Sequence, residues 1–405
     1  MAVDTPIFNP LDPATHADPY PSYRQLRELS PIHHSPLGIL VLSRFADIDA
    51  VLRDPRFGHT MADEVQMLKV MQGPGGVTVA EFSRWMLMLD PPDHTRLRGL
   101  VQKAFTPRAI EALRPRITAL VDQFVSGFLS RLESEGQADI VDELALALPV
   151  AVITEMLGLH IEDEPRTREW AEAIAQALDP IISEEQARRS DEAVVGMTEY
   201  ITSEIERRRR SPGNDLLTKL IEAEDAGGRL SEQELISNVI LLFGAGHETT
   251  RNLISNGMLA LIRNPEVLAQ LRSDPSLIRN AVEELLRYDS PVQLVGRVAK
   301  SEIEVAGVPF PTGMAVACIV ASGNRDPAQY RDPDRLDILR PDIKVLSFGG
   351  GIHFCLGAML ARIEGALAIN TLLARAPALA LVDEKPQWRP HITLRGLAKL
   401  PVRAA

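Results

Sequence analysis

The sequence predicts a mainly α-helical protein with a small β region, folded as a single domain over residues 1–405. Three observations carry this prediction. Leu, Ala, Arg and Glu are plentiful while aromatics make up only 5%, a balance that favours helix over strand. Long stretches of helical periodicity are bounded by caps and prolines, one of them running from Ser231 to about Asn264. Strand signals are few and short, and no repeat or low-complexity linker divides the chain.

Ser43 stands where it can cap a helix running to Asp54, which Pro55 then ends. Proline-started helices are predicted near Pro92 and Pro107, the second reaching about Glu133. Helical patterns follow over roughly Asp142–Leu157, Glu162–Leu178 and Glu184–Arg210. The clearest start is Ser231-Glu232-Gln233-Glu234, a capping-box pattern. The helix it opens is long enough to cross the whole molecule. Two more are expected at Leu277–Tyr288 and Cys355–Ala376. The expected strands are Gly38–Leu42, a hairpin over Val295–Val308, and Ala315–Ile319. The stretch Gly58–Val79 is too long for an ordinary connection and reads as a functional loop.

Hydrophobic residues at 45% and charged residues at 24% are ordinary for a globular chain. The net charge of −12 argues against a general nucleic-acid binder. The basic run Arg207–Arg210 reads as a solvated helix C-terminus favoured by the helix dipole. Two cysteines, Cys318 and Cys355, imply no disulfide framework. The first 23 residues are polar and proline-rich, with no signal-like apolar core and no run of about 20 apolar residues. A cytoplasmic, soluble protein without a membrane anchor is expected.

The strongest chemical signal is Ser347-Phe348-Gly349-Gly350-Gly351-Ile352-His353-Phe354-Cys355-Leu356-Gly357. Three consecutive glycines allow backbone conformations and approaches that side chains forbid. Leu356, Leu360, Ile363 and Leu367 follow with helical spacing, so Cys355 is expected at a helix N-terminus, where a thiol pKa is lowered. A cysteine alone is more often structural, and Cys318, on a predicted strand, is read that way. A glycine-rich loop ahead of a helix can also bind phosphate, but the spacing matches neither the dinucleotide fingerprint nor the P-loop.

A second signal lies inside the long helix. The apolar run Val239-Ile240-Leu241-Leu242-Phe243 gives way to Gly244-Ala245-Gly246-His247-Glu248-Thr249-Thr250. Glycine inside a helix costs roughly 1 kcal/mol relative to alanine, and the polar residues need partners there. The segment therefore reads either as a functional kink or groove, or as the place where the helix surfaces.

The pattern Phe348-Gly349-x-Gly351-x-His353-x-Cys355-x-Gly357 resembles the haem-binding loop of cytochromes P-450 at every fixed position. The resemblance covers nearly the whole chain, including Asn324-Arg325-Asp326-Pro327 and Leu336-Asp337-Ile338-Leu339-Arg340. It departs from many soluble relatives at Leu336, where Phe is common, and at Val345-Leu346-Ser347, where His-Leu-Ala is common. These positions bear on subfamily rather than reaction type.

The resemblance implies the family's triangular helical prism, with haem b between the long central helix and the cysteine-loop helix. Cys355 would be the iron ligand, with Phe348, Gly349, His353 and Gly357 around the cofactor. Ala245 and Gly246 would line the oxygen-binding groove, Gly246 leaving room for O2. Glu248 and Thr249 match the acid–alcohol pair that delivers protons, while His247 sits at a variable position and is assigned no role. His94 and Arg98 in Pro92–Arg98, with Arg297 and His353, match contacts to the haem propionates, whereas Arg96 is read as a surface charge. Glu284 and Arg287, three residues apart on one helix face, match a buried structural pair that fixes the cysteine loop.

The family topology places Leu87, Leu241, Gly244, Ala245, Val292, Leu294 and Ile392 around a pocket for a lipophilic small molecule. Gly58–Val79 and the region from Ala173 to Glu185 would form its lid. The implied activity is monooxygenation by hydroxylation or epoxidation. Oxidative coupling, isomerisation, dehydration or other non-hydroxylating chemistry at the same haem is the alternative, and a non-catalytic haem sensor or ligand-binding protein is a more distant one. Electrons would come from NAD(P)H through a ferredoxin and its reductase, docking near Arg98, Lys103 and Arg108, and the protein would act as a monomer.

Overall fold

A computed structural model describes residues 9, 12–36, 38–59, 75–225 and 230–405. Two short helices open the described chain: α1 (Pro13–Ala17) and α2 (Tyr20–Leu29). Next come α3 (Phe45–Arg53), α4 (Gly76–Phe82), α5 (Asp93–Val101) and α6 (Pro107–Glu135). Then follow α7 (Ala147–Leu157), entered through a π-turn at Val141–Ala145, α8 (Glu164–Gln176), α9 (Glu184–Arg210) and α10 (Leu216–Asp225). The long helix is α11 (Glu232–Arg263), followed by α12 (Pro265–Ser273), α13 (Ile278–Tyr288), the single turn α14 (Val320–Gly323) and α15 (Ala358–Arg375).

The strands are β1 (Ile32–His34), β2 (Leu40–Leu42), β3 (Phe57–Gly58), β4 (Gln137–Asp139), β5 (Val295–Ala299), β6 (Ile303–Val305), β7 (Val308–Phe310), β8 (Ala315–Cys318), β9 (Leu379–Leu381) and β10 (Pro401–Ala404). They form a five-stranded sheet in the order β1-β2-β8-β5-β3, a three-stranded sheet β4-β10-β9 and the hairpin β6-β7. In the large sheet β2 and β8 run parallel, and the other neighbours antiparallel. The mainly α expectation holds.

Ser231 caps α11 as expected, its hydroxyl accepting from Glu234 N–H while the Glu234 carboxylate receives Ser231 N–H. Thr106 likewise caps α6, whose first residue is Pro107. At the predicted cap of α3, by contrast, the Ser43 hydroxyl donates to the Pro31 carbonyl. The cap is supplied from far along the chain, since Phe45 N–H donates to the Asp326 carboxylate at 2.9 Å. The predicted hairpin over Val295–Val308 is also corrected. β5 pairs with β8, and the tight turn at Ala306 (φ 50°) and Gly307 (φ 79°) joins β6 to β7 instead. Helices α2, α10 and α12 and the sheet β4-β10-β9 answer to no signal noted in the sequence.

The core is built around α11, which packs against α7, α8, α9, α13 and α15. Nearly every residue of α11 from Leu235 to Leu261 is buried, except around Gly244–Gly246 and Thr249. One cluster joins α6, α7, α13 and α15 to the C-terminal half of α11; another gathers α9, α10 and the N-terminal half. The basic run at the end of α9 is not simply solvated. Arg207 and Arg208 donate to the Gly158 carbonyl, and Arg209 pairs with Glu224 and Glu232, tying α9 to the end of α7 and to α10 and α11. Among the described residues no helix is long and apolar enough to cross a membrane.

Candidate active site

The cysteine loop is built from glycines for steric reasons that the geometry makes explicit. Gly349 and Gly351 adopt φ 68° and 62°, a region that side chains disfavour. A Cβ on Gly351 would lie 2.5 Å from the Leu52 carbonyl oxygen at the end of α3. The loop closes by the Cys355 N–H donating to the Phe348 carbonyl at 2.8 Å. Cys355 lies three residues ahead of α15, not inside it. Its side chain is open to solvent, yet enough protein surrounds it that burial pushes the thiol above its ordinary value. The backbone N–H groups of Gly357 and Ala358 and the guanidiniums of Arg98 and Arg362 oppose that shift without reversing it. The lowering expected of a helix N-terminus is thus present, in the Gly357 and Ala358 N–H groups, but burial outweighs it. Cys318, buried on β8, is pushed up to about 12 by the same cause and is a core residue.

The loop hangs on a buried ionic centre. Glu284 and Arg287 on α13 are fully buried and joined by two bonds of 2.7 Å. Glu284 also receives Asp337 N–H at 2.9 Å and the Arg340 guanidinium at 3.2 Å. Arg287 donates to the carbonyls of Asn324, Pro333 and Arg335. Asn324 in turn binds Leu346 N–H at 2.8 Å and the Ser347 hydroxyl at 2.9 Å, at the root of the cysteine loop. A chain of buried bonds thus runs from the ion pair to the residues before Phe348.

On α11 the polar interruption does not break the helix. Its residues divide by face. Ala245 is exposed, Gly244 and Thr249 are half-buried, and the Thr249 hydroxyl donates to the Ala245 carbonyl at 3.1 Å. A Cβ on Gly244 would meet nothing within 4 Å. A Cβ on Gly246 would lie 3.0 Å from Ile153 of α7. This glycine allows two helices to pack closely, while the open face belongs to Gly244, Ala245 and Thr249. Glu248 is buried between Arg389, at 2.6 Å, and Arg251, at 3.7 Å. Burial alone would raise its carboxyl, but Arg389, His247 and Arg251 outweigh it and hold it at about 2. As it stands Glu248 is an ionised, doubly paired carboxylate rather than a poised acid. Its partners Arg251 and Arg389 were not singled out from the sequence.

The expected cationic residues converge. Arg98 on α5 donates to the Phe354 carbonyl at 2.6 Å. The rings of His94 and His353 lie 4.3 Å apart, and His59, unmarked in the sequence, meets His353 edge-on at 4.6 Å. Arg297 on β5 is buried beside them, donating to the Gly296 carbonyl. His59 Nε2, His94 Nδ1 and His353 Nε2 are buried without a hydrogen-bond partner. Burial, Arg297 and His94 push His59 down to about 3, and burial, His59, Arg297 and His94 push His353 to about 2. Arg96 instead bridges Glu234 at 2.6 Å and Asp93 at 2.8 Å, locking α5 to the start of α11.

Three of the apolar candidates come together. Gln293 N–H donates to the Thr393 carbonyl and Val292 pairs with Leu394, so Val292, Leu294 and Ile392 share one two-stranded contact. The Ile392 and Thr393 N–H groups bind the Asp179 carboxylate, drawing in the connection between α8 and α9, part of the expected lid. Leu87 follows Met86, whose N–H donates to Asn238 on α11 one turn before Leu241, itself buried. Residues 60–74 of the other lid segment, Gly58–Val79, lie outside the described residues. A surface cavity of about 200 Å³ between α6, α7 and α10 is separate from all of these side chains.

The donor set suits haem. One accessible thiol offers a single soft ligand, and the orphaned imidazole nitrogens with Arg98 and Arg297 offer partners to two carboxylates. The exposed face at Ala245 on an otherwise buried helix, and the open space at Gly244 and Gly357, leave room for a flat ring.

Comparison with known proteins agrees with this geometry. The family model for Cytochrome P450 matches residues 76–387. Cytochrome P450 107B1 of Saccharopolyspora erythraea is 41% identical, over 99% of this chain and 98% of its own. Cytochrome P450 monooxygenase PikC of Streptomyces venezuelae is 39% identical, over 96% and 91% respectively. The crystal structure of Mycobacterium smegmatis CYP164A2 in its ligand-free state superposes with a TM-score of 0.89 at 40% identity, covering 98% of each chain. These relatives favour monooxygenation over the coupling and sensor alternatives. The chain belongs to the cytochrome P450 family, as a haem-thiolate monooxygenase.

Proposed function

We propose that this chain, as a single domain in the cytoplasm, holds haem b through the Cys355 thiolate and oxidises a lipophilic small molecule. The observation that supports it most is the accessible Cys355 thiol flanked by buried imidazoles with unpartnered ring nitrogens, beside the guanidiniums of Arg98 and Arg297. When bound, haem supplies the activation of O2 that no amino-acid side chain provides.

The protein's own residues do the rest. His94, Arg98, Arg297 and His353 bind the carboxylates, and the ion pair Glu284–Arg287 keeps the cysteine loop in place. Phe348, Gly349 and Gly357 shape that loop. Ala245 and Thr249 form the open face of α11, where the Thr249 hydroxyl holds a proton near the reacting atoms. Glu248 is a reservoir that must first leave Arg389 and Arg251 to carry a proton. Leu87, Leu241, Gly244, Val292, Leu294 and Ile392 line the substrate space with apolar surface and exclude water. A ferredoxin and its NAD(P)H-dependent reductase supply electrons. Lys103 and Arg108 are exposed for docking, whereas Arg98 is tied to Phe354. The protein acts as a monomer.

The test is turnover with a ferredoxin, its reductase and NADPH, using lipophilic substrates chosen by their binding spectra. One atom of labelled O2 should appear in the product, and Thr249→Ala should consume electrons with little product. Product without label would overturn the proposal.

A further inference from the structure

His59 belongs to no recognised motif, and its placement is nevertheless highly determined. β3 pairs with β5 so that Phe57 opposes Ala299 and Gly58 opposes Val298. That register sets the next residue, His59, close to Arg297 on β5. The Asp90 carboxylate then pins the chain, accepting the His59 N–H at 3.0 Å and Lys300 Nζ at 2.6 Å. The approach is close: a Cβ on Gly58 would lie 2.5 Å from the Asp90 carboxylate oxygens, so a larger residue there would displace that side chain. The imidazole that follows is delivered edge-on to His353, 4.6 Å between centroids at 76°. His353 lies 4.3 Å from His94.

The result is a row of three imidazoles, each with one buried nitrogen that lacks a partner: Nε2 of His59, Nδ1 of His94 and Nε2 of His353. A buried polar nitrogen left without a partner is costly. Three in one place, beside Arg297 and near Arg98, call for an anionic acceptor. Metal binding is not what the row is arranged for: among the described residues no group of three His, Cys, Asp or Glu could hold an ion.

We propose that His59 donates a hydrogen bond from Nε2 to a haem carboxylate, completing a three-imidazole cradle with His94 and His353. This rests on the haem reading above. It adds a contact that lies just before the segment leading into α4, so the carboxylate site and the start of the expected lid share one anchor, Asp90.

The test compares holoenzymes of the wild type, His59→Phe and His59→Gln. Two quantities are read: the rate of haem transfer to an excess of an apo-protein acceptor, and the propionate bending band in the resonance Raman spectrum. A hydrogen bond to a charged group corresponds to about a tenfold change in the loss rate or more. His59→Phe should lose haem about tenfold faster with a shifted bending band, and His59→Gln, which keeps a donor, should move less. An unmoved band overturns the proposal, whether haem loss is unchanged or merely faster through a loosened fold. Should His59→Phe not fold, the wild type decides. A nuclear Overhauser contact between the His59 imidazole N–H and a propionate methylene in the diamagnetic ferrous–CO form supports the bond, and its absence overturns it. A wild type that binds no haem would instead refute the reading beneath the proposal.

Discussion

Replacing Glu284 with Gln removes a charge that is 0% exposed and bound on every side. The carboxylate takes two bonds of 2.7 Å from Arg287, the Arg340 guanidinium at 3.2 Å and the Asp337 N–H at 2.9 Å. Glutamine keeps one acceptor for these donors and turns an NH2 group toward a guanidinium. Arg287 retains its three carbonyl partners but loses its one counter-charge among the described residues. Breaking a buried pair from one side costs about 3–5 kcal/mol, a large part of the about 5–15 kcal/mol that holds a folded domain together. The assay is urea unfolding followed by two probes, far-ultraviolet circular dichroism and the haem–thiolate absorbance. Because the pair reaches the cysteine loop through Asn324 and Ser347, the thiolate signal should fail first and at clearly lower urea than in the wild type. A loss of stability under about 1 kcal/mol, or a thiolate signal that outlasts the helices, would refute the reasoning.

Three further outcomes are expected. Gly351→Ala, which combines φ 62° with a 2.5 Å approach to a backbone oxygen, should lower stability by more than about 2 kcal/mol, whereas Gly350→Ala has its nearest contact in the Leu52 side chain at 3.2 Å and should cost less; equal losses in urea unfolding would contradict this. The folded Glu248 carboxyl is depressed from 4.5 to about 2, so its stabilisation, of order 3 kcal/mol by linkage, is fully present above about pH 4.5 and lost as pH falls toward 2. The stability gap between wild type and Glu248→Gln should therefore narrow below about pH 4.5, and a gap that widens on acidification would contradict the ion pairing. Reversing the exposed charges with Lys103→Glu and Arg108→Glu should slow reduction by ferredoxin, more so at low salt; unchanged rates at every ionic strength would count against docking there.

What was legible in the sequence is what is local. The capping box at Ser231 depends on residues three apart, and the glycines of the cysteine loop announce their own backbone needs. The motif residues His94, Arg98, Arg297 and His353 do converge, because the resemblance supplied the long-range information that periodicity lacks. What was missed is long-range and unmotivated by any pattern. Arg389 reaches Glu248 across 141 positions, and Asp326 caps a helix 281 positions earlier. His59 meets His353 because β3 finds β5. Ser43 misled because a serine before a helix can serve another carbonyl equally well, here that of Pro31. The packing of Gly246 against Ile153 was likewise invisible in the sequence, because a glycine inside a helix does not announce its neighbour.

The central claim, that Cys355 is the iron's thiolate ligand, is tested most directly by the ferrous–CO difference spectrum of purified protein, wild type beside Cys355→Ala. The account predicts the red-shifted thiolate Soret band in the wild type and its loss in the variant. A band typical of histidine ligation in the wild type, or the same thiolate band in both proteins, would contradict it.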